Sequence, residues 1–433
     1  IIFFLFCSLG IFHLRSKIII NKLDFNLKII FIFFLLILFS TSLNFVQALY
    51  SGDYQDSHLF RLIKSVLFFR FFIMLLIVYL ISDLDIINYK LFFLSSAILP
   101  ILISIDVIFQ YIFGFNVIGI KGLARHNPSF FGDELISGGY IQNFSLFSIF
   151  FLTDLIRKKN NFFKIILTTL VICTLATGIL LSGNRMPFLL FLMGLLFLFF
   201  LRINLKRILL ISYCIIAVIF SHITSSNENM NFHYGIFYQD IKETVVQLPK
   251  KIKNNILLSV KGIEEEESLR EQKWKSADRE QHAYRKLALT ALEVWKKNKL
   301  FGNGIKSFRY ECHKIIDEQR EKLLLTIPQG LCSNHPHNYY LEILVDLGIV
   351  GFILTMGIVL TYMIFLAKNY KALKKGNNLQ NLFLLAATIS LFLEVFPLKS
   401  TGSIFTTNNT TYIILMSSII LSYKKLLAGK NFG

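Results

Sequence analysis

Residues 29–49 read IIFIFFLLILFSTSLNFVQAL, 21 positions without a charge. About 20 apolar residues in helical conformation cross the hydrocarbon core of a bilayer, and a helix that is apolar all round for that length has no water-facing side. Outward from this run, further apolar stretches centre on 1–12, 65–83, 91–113, 138–156, 163–181, 187–201, 207–223, 342–366, 380–397 and 411–423. Strands of a membrane barrel would be about ten residues each with alternating polarity, so these are helices. The expected fold is therefore all-α: a polytopic transmembrane helix bundle of about 11–12 spans with one large, partly helical external loop. The run 1–12 is too short to cross and no Met opens the sequence, so truncation at residue 1 is expected.

Composition excludes the main alternatives. The 433 residues are 54% hydrophobic and 17% charged, against about 25% charged in a soluble globular chain, so an ordinary cytosolic enzyme is ruled out. The net charge of +18 would suggest nucleic acid in a soluble protein; in a membrane protein it reports topology instead, and no nucleic-acid partner is expected. Basic residues collect in alternate connections: Arg15, Lys17, Lys22 and Lys28; Lys90; Arg157 to Lys164; Arg202, Lys206 and Arg207; Lys368 to Lys375; and Lys424 to Lys430. The intervening short loops hold few, among them Arg61, Lys64, Lys121, Arg125, Arg185 and Lys399. The positive-inside rule makes the first set cytoplasmic, the C-terminus included, and sets the long loop from about Thr224 to Asn338 outside. Three regions follow: an N-terminal bundle over 1–223, the loop over 224–338, and C-terminal helices over 339–433.

That loop is nearly balanced, with 19 basic and 15 acidic residues, and it holds both Trp and five of the nine His, too much for a passive connector. Tyr284, Leu287, Ala288, Ala291, Leu292 and Trp295 share one helical face, and Gly302 and Gly304 in FGNG stop that helix. The loop is expected to be a small folded cap.

Three segments carry the chemistry. In CSNHPHNYYLEILVDLGIVG, Cys332 to Gly351, His335 and His337 precede Asn338 where the loop meets the next span. A histidine titrating near neutrality suits a general base, although Tyr339 and Tyr340 also fit an interfacial belt. In LSGNRMPFLL, Leu181 to Leu190, Ser182 or Asn184 is expected to cap the following helix. Arg185 there sits beside the exposed N–H groups of that helix, a place for a doubly charged anion or for snorkelling to headgroups. In RHNPSFFGDELISGGYIQNF, Arg125 to Phe144, Asp133 and Glu134 could pair with Arg125 or bind acceptor hydroxyls, while Gly138 and Gly139 could simply allow close packing. No metal-ligand spacing, Walker A, dinucleotide fingerprint or GxSxG elbow is present, so neither a metal nor a cofactor is expected. Cys312 and Cys332 lie in the same external loop, an oxidising setting in which a nearby pair closes, so they are expected to form a disulfide.

Together FFGDELISGGY, SGNR at the start of a span, KNKLFGNGIKSFRYEC and HPHNYYLE…DLGIVG resemble the O-antigen ligase and O-antigen polymerase superfamily, from roughly Asp106 to Gly351. The resemblance implies an inner-membrane glycosyltransferase that takes a glycan from an undecaprenyl-diphosphate donor. The acceptor is either lipid A–core (a ligase) or a second lipid-linked glycan (a polymerase). It also implies that His337 is essential and that Arg185 binds the lipid diphosphate. A second arginine usually opens the amphipathic helix; here DREQHAYRKLALTAL offers Arg279, His282 and Arg285 for that role, and Asp346 stands where glutamate is more usual. His335, Asn338, Arg125 and Glu134 complete the expected substrate contacts. A transporter or flippase of lipid-linked glycans would instead need buried mid-membrane polar groups and an internal repeat, and neither is visible.

Overall fold

The computed structural model describes residues 9, 25–83, 88–123, 125–132, 134–235, 283–321, 332–375, 379–400 and 402–429. Among these residues there are thirteen α-helices: α1 (Phe25–Ser51), α2 (Asp56–Phe68), α3 (Arg70–Asp83), α4 (Tyr89–Phe113), α5 (Ser137–Leu155), α6 (Asn161–Leu181), α7 (Arg185–Leu201), α8 (Lys206–Ser226), α9 (Ala283–Lys297), α10 (Phe308–Glu321), α11 (Tyr339–Lys375), α12 (Leu379–Glu394) and α13 (Thr407–Gly429). Among the described residues there is no strand, only two isolated bridges, Phe115–Lys121 and Leu123–His126. The fold is all-α and polytopic. Among the described residues six helical stretches are long and apolar enough to cross a membrane: Phe25–Ser51, Asp56–Ile81, Tyr89–Phe113, Asn161–Leu181, Lys206–Ser226 and Tyr339–Lys368. Arg185–Leu201 and Leu379–Glu394 are shorter apolar helices. The apolar run 1–12 falls almost wholly outside the described residues.

The chain divides into two compact units, one made of 1–95 with 286–433, the other of 96–285. In the second unit the core is Ile141, Phe147, Phe150, Ile172, Leu175 and Ile179, all at or near zero exposure, so α5 and α6 pack through continuous apolar faces. In the first unit α1, α2, α3, α11 and α13 share a core that includes Leu27, Ile37, Phe68, Phe72, Leu75, Ile343 and Leu421. Beside it α9, α10 and the start of α11 bury Leu287, Ala291, Val294, Phe308, Ile315 and Val345, the folded cap expected from the helical spacing of 284–295.

Two differences from the sequence reading matter. The span expected over 65–83 begins earlier, at Asp56, because Leu59, Phe60, Leu62 and Ile63 continue the apolar helix outward. Arg61 and Lys64, assigned to a short loop, therefore lie within it. The span expected over 342–366 is broken at Gly348 (φ 67, ψ −165). The segment Lys299–Gly304 inserts at the break and supplies what the helix has lost. Ile349 and Val350 N–H donate to the carbonyls of Lys299 (2.9 Å) and Leu300 (3.2 Å), while Asn303 and Gly304 N–H donate to the carbonyls of Val345 and Asp346 (both 2.9 Å). A broken helix inside a membrane protein needs such partners, since bare backbone groups have none in lipid. Gly302 (φ 74) and Gly348 meet across this joint. A Cβ on Gly302 would overlap the Asp346 backbone, and one on Gly348 would overlap the Leu300 carbonyl. This explains why FGNG and DLG occur together in the sequence. Gly348→Ala, which adds bulk at a left-handed position, should cost more than about 1 kcal/mol and lower the thermal midpoint of the purified protein.

Polar residues in α1 complete the joint. Ser40 Oγ donates to the Asp346 carbonyl (3.0 Å), Thr41 Oγ1 accepts from Ile305 N–H (3.2 Å) and Asn44 Nδ2 donates to the Gly302 carbonyl (3.0 Å). The Asp346 carboxylate accepts from Lys306 N–H (2.6 Å), Ser307 N–H (3.1 Å) and Ser307 Oγ (2.7 Å).

Candidate functional site

In the second unit α6 ends at Leu181 and α7 begins at Arg185, leaving Ser182, Gly183 (φ 76) and Asn184 as the turn. The last carbonyls of a helix have no intrahelical donor, and here side chains from two other segments satisfy them. Tyr234 OH donates to the Leu180 carbonyl (2.9 Å), Asn127 Nδ2 to that of Leu181 (2.7 Å), His126 Nδ1–H to that of Ser182 (3.3 Å), and His233 Nε2–H to that of Gly183 (2.8 Å). The absent Cβ at Gly183 is what lets the Arg125 carbonyl and the His126 ring lie against the turn.

The expected cap does not form. Asn184 holds the N-cap position of α7, but its side chain does not bond the helix. Its Oδ1 accepts from Gly138 N–H (2.9 Å) and its Nδ2 donates to the Leu135 carbonyl (3.0 Å), so it ties the start of α5 to the turn instead. Of the two glycines there, Gly138 is the one that needs to lack a Cβ, which would strike Ser182 and Asn184; Gly139 has open space.

This turn gathers cations. Arg185 Nη1 donates to the His233 carbonyl (3.3 Å), Arg125 lies over the Phe232 ring at 5.1 Å, and the His126 and His233 rings stand 5.4 Å apart. Burial, and after it the charges of Arg185 and Arg125, hold both imidazoles below their usual pKa. They are therefore neutral donors near pH 7, and an anion placed among them would favour their protonation. Glu134 is exposed and forms no ion pair among the described residues; Asp133 lies outside them. His126 and His233 were not singled out from the sequence. His126 directly follows Arg125 in a quoted motif and could have been found there, whereas His233 stands in a polar stretch with no pattern.

In the first unit the segment before α11 is held at both ends. Cys312 and Cys332 are joined as a disulfide with Cα atoms 5.7 Å apart, fixing the start of the segment to α10. At its end Asn338 caps α11, its Oδ1 accepting from Tyr340 N–H (3.0 Å) and Leu341 N–H (3.2 Å), while its Nδ2 donates to the Pro397 carbonyl (2.7 Å). Between them His337 adopts φ 55, a left-handed backbone uncommon for a residue with a side chain and found where surroundings enforce it. Its Nε2 lies 3.3 Å from Ser333 Oγ and its ring 4.3 Å from that of His335. His335 and His337 are half-buried, open enough to meet a ligand. Asn338, expected to touch substrate, has its side chain committed to the cap and to the 397–399 segment.

Beneath lies a buried ionic group. Glu394 accepts from Tyr339 OH (2.7 Å) and from Lys399 Nζ (2.6 Å), with the lysine 10% and the glutamate 3% exposed. Glu342 accepts from Ser403 Oγ (2.5 Å) and Ile404 N–H (2.8 Å). These bonds attach the chain between α12 and α13 to the first turn of α11. In the second unit Asp106 is likewise engaged, by Val117 N–H (3.1 Å) and Ser129 Oγ (2.5 Å). Arg285 is the third residue of α9, and Arg279 and His282 fall outside the described residues.

Removing the disulfide tests how far it steadies the segment. It closes a separation of 20 residues, so Cys312→Ala with Cys332→Ala should cost roughly 3 kcal/mol, read as a lower thermal midpoint. Peptide mapping after alkylation without reductant should find the two cysteines linked. His313 stands beside both sulphurs, and the three would be close enough to hold a metal only if the pair were reduced.

The helices and these two sites define a multi-pass membrane protein with polar chemistry concentrated in its connecting segments. The family model of the O-antigen ligase matches residues 167–356, under half of the chain but including the SGNR turn, α9, the FGNG joint and the His337 segment. Over these residues the chain is similar to the O-antigen ligase family. No curated protein matches it.

Proposed function

We propose that the chain transfers a glycan from an undecaprenyl-diphosphate carrier to a sugar hydroxyl. The acceptor is lipid A–core or a second lipid-linked glycan. The family match supports function of the ligase and polymerase type; the donor, the acceptor and the residue roles are proposed. The observation that carries it is the convergence of Arg125, Arg185, His126 and His233 on one turn. Fixed cations at such a turn would neutralise the diphosphate as it leaves, with no metal needed for that step. His337 would take the proton of the acceptor hydroxyl, its ring aimed by the enforced backbone, and His335 would line the same opening. Arg285, or Arg279 or His282 ahead of it, would supply a further cation; Glu134 would meet acceptor hydroxyls. The large loop would face the periplasm at the inner membrane, with the C-terminus in the cytoplasm.

The test is complementation of strains lacking either a ligase or a polymerase, read as lipopolysaccharide banding on a gel. Restored long-chain bands in the ligase-deficient strain select lipid A–core as acceptor, restored ladders in the polymerase-deficient strain select the lipid-linked glycan, and failure in both with protein present in the membrane overturns the reading.

A further inference from the structure

The three residues that follow His337 all reach one short segment, 394–399, at the end of α12. Asn338 Nδ2 donates to the Pro397 carbonyl (2.7 Å), Tyr339 OH to Glu394 Oε1 (2.7 Å) and Tyr340 OH to the Val395 carbonyl (2.5 Å). In the same turn of α11, Glu342 accepts from Ser403 Oγ and Ile404 N–H farther along that chain. Successive helical side chains point about 100° apart, so neighbours in a row find partners on a single segment only where it wraps the start of the helix. The segment 394–399 is such a strap.

The strap is closed on itself. Lys399 N–H donates to the Phe396 carbonyl (3.0 Å), which makes a turn over 396–399 with Pro397 at its second position, and Lys399 Nζ donates to Glu394 Oε2 (2.6 Å). Glu394 is the last residue of α12, where the helix carbonyls disfavour a carboxylate, and the ammonium offsets both. Both groups are buried, so losing one would leave the other charge uncompensated. The ammonium also lies 5.9 Å from the centre of the Tyr339 ring, whose hydroxyl shares the same carboxylate. Lys399 and Glu394 are therefore committed to each other and to Tyr339.

His337 needs a frame of this kind. Its left-handed backbone (φ 55) persists only where neighbours enforce it. Upstream the covalent anchor is Cys332, several residues away. Downstream the anchor begins at the next residue, Asn338, so the strap governs the ring's position more closely than the bridge does.

We propose that Glu394 and Lys399 are positioning residues for His337: their ion pair holds the strap, and the strap, through Asn338, Tyr339 and Tyr340, holds the His337 ring. The kinetic consequence rests on the transfer reading above; the holding of the ring does not. Two variants test it in the full chain in nanodiscs. Lys399→Met removes the ion pair, and Tyr339→Phe keeps the pair and the ring but cuts the bond to the strap. The first readout is carbethoxylation of His337 by diethyl pyrocarbonate at fixed pH, followed by peptide mass spectrometry against the exposed His222 as internal reference. Each variant should label His337 at least about threefold faster, the effect of losing one hydrogen bond. The second readout is transfer kinetics with donor lipid extracted from the strain that the chain complements. There kcat should fall at least about tenfold while KM stays within about twofold, the pattern of a misplaced group rather than of lost substrate binding. If Lys399→Met does not fold, Tyr339→Phe decides alone. Labelling at the wild-type rate overturns the proposal whether or not the chain transfers glycans, and so does faster labelling with kcat unchanged or with only KM raised. Failure of the wild-type chain to transfer removes the transfer reading and leaves the labelling to decide whether the strap holds the ring.

Discussion

His337→Ala is expected to lower glycan transfer in reconstituted membranes by roughly 10²–10⁴, the range for loss of a general base, with no change in the amount of folded protein. The expectation rests on how the ring is held. Asn338 and the Cys312–Cys332 bridge fix the segment on either side, so the left-handed backbone of His337 belongs to the fold and persists when its ring is removed. His337→Gln, which keeps polarity but cannot accept a proton near pH 7, should be about as poor as Ala. A structural role would be rescued by Gln. Wild-type turnover in the alanine variant would remove His337 from the mechanism.

Arg185→Lys should be nearly as damaging as Arg185→Ala, each slowing transfer by roughly 10²–10³, the loss seen when one donor to a developing anion is removed. One nitrogen of the guanidinium reaches the His233 carbonyl, which orients the fork at the turn. A lysine has the charge but not the planar fork, and it would have to choose between the carbonyl and the anion. Full activity with lysine would mean that Arg185 serves only as a headgroup anchor. The comparison is of initial rates at matched membrane concentrations of the variants.

The membrane character and the cap were legible because they rest on counts and periods. Uncharged runs of about 20 residues specify helices, and the spacing of Leu287, Ala291 and Trp295 specifies which side of α9 is buried. Arg125 and Arg185, 60 positions apart, were picked separately, and their meeting at one turn was not legible, because it depends on Gly183 allowing the Arg125 carbonyl to lie close. The break at Gly348 was hidden for a similar reason. Glycine is common in membrane helices and carries no sign of its own, and only the position of FGNG in space distinguishes this one. Ser40, Thr41 and Asn44 were the visible clue in α1, polar residues within one turn of an otherwise apolar run, and their partners lie about 260 positions or more away. Arg61 and Lys64 were misplaced because charge was taken to end a span, whereas protein packing on one side lets a helix carry it inward.

The joint at Gly348 also bears on biogenesis. Its four backbone bonds to 299–304 exist only after that segment has docked, and until then residues 345–350 would face lipid with nothing to bond to. A newly inserted chain would avoid this if it closed those bonds within one uninterrupted helix, with residue 348 right-handed. Docking of the FGNG segment would then exchange local bonds for distant ones and turn the same residue left-handed. Glycine is the residue that is at ease in both hands, so it would meet that demand.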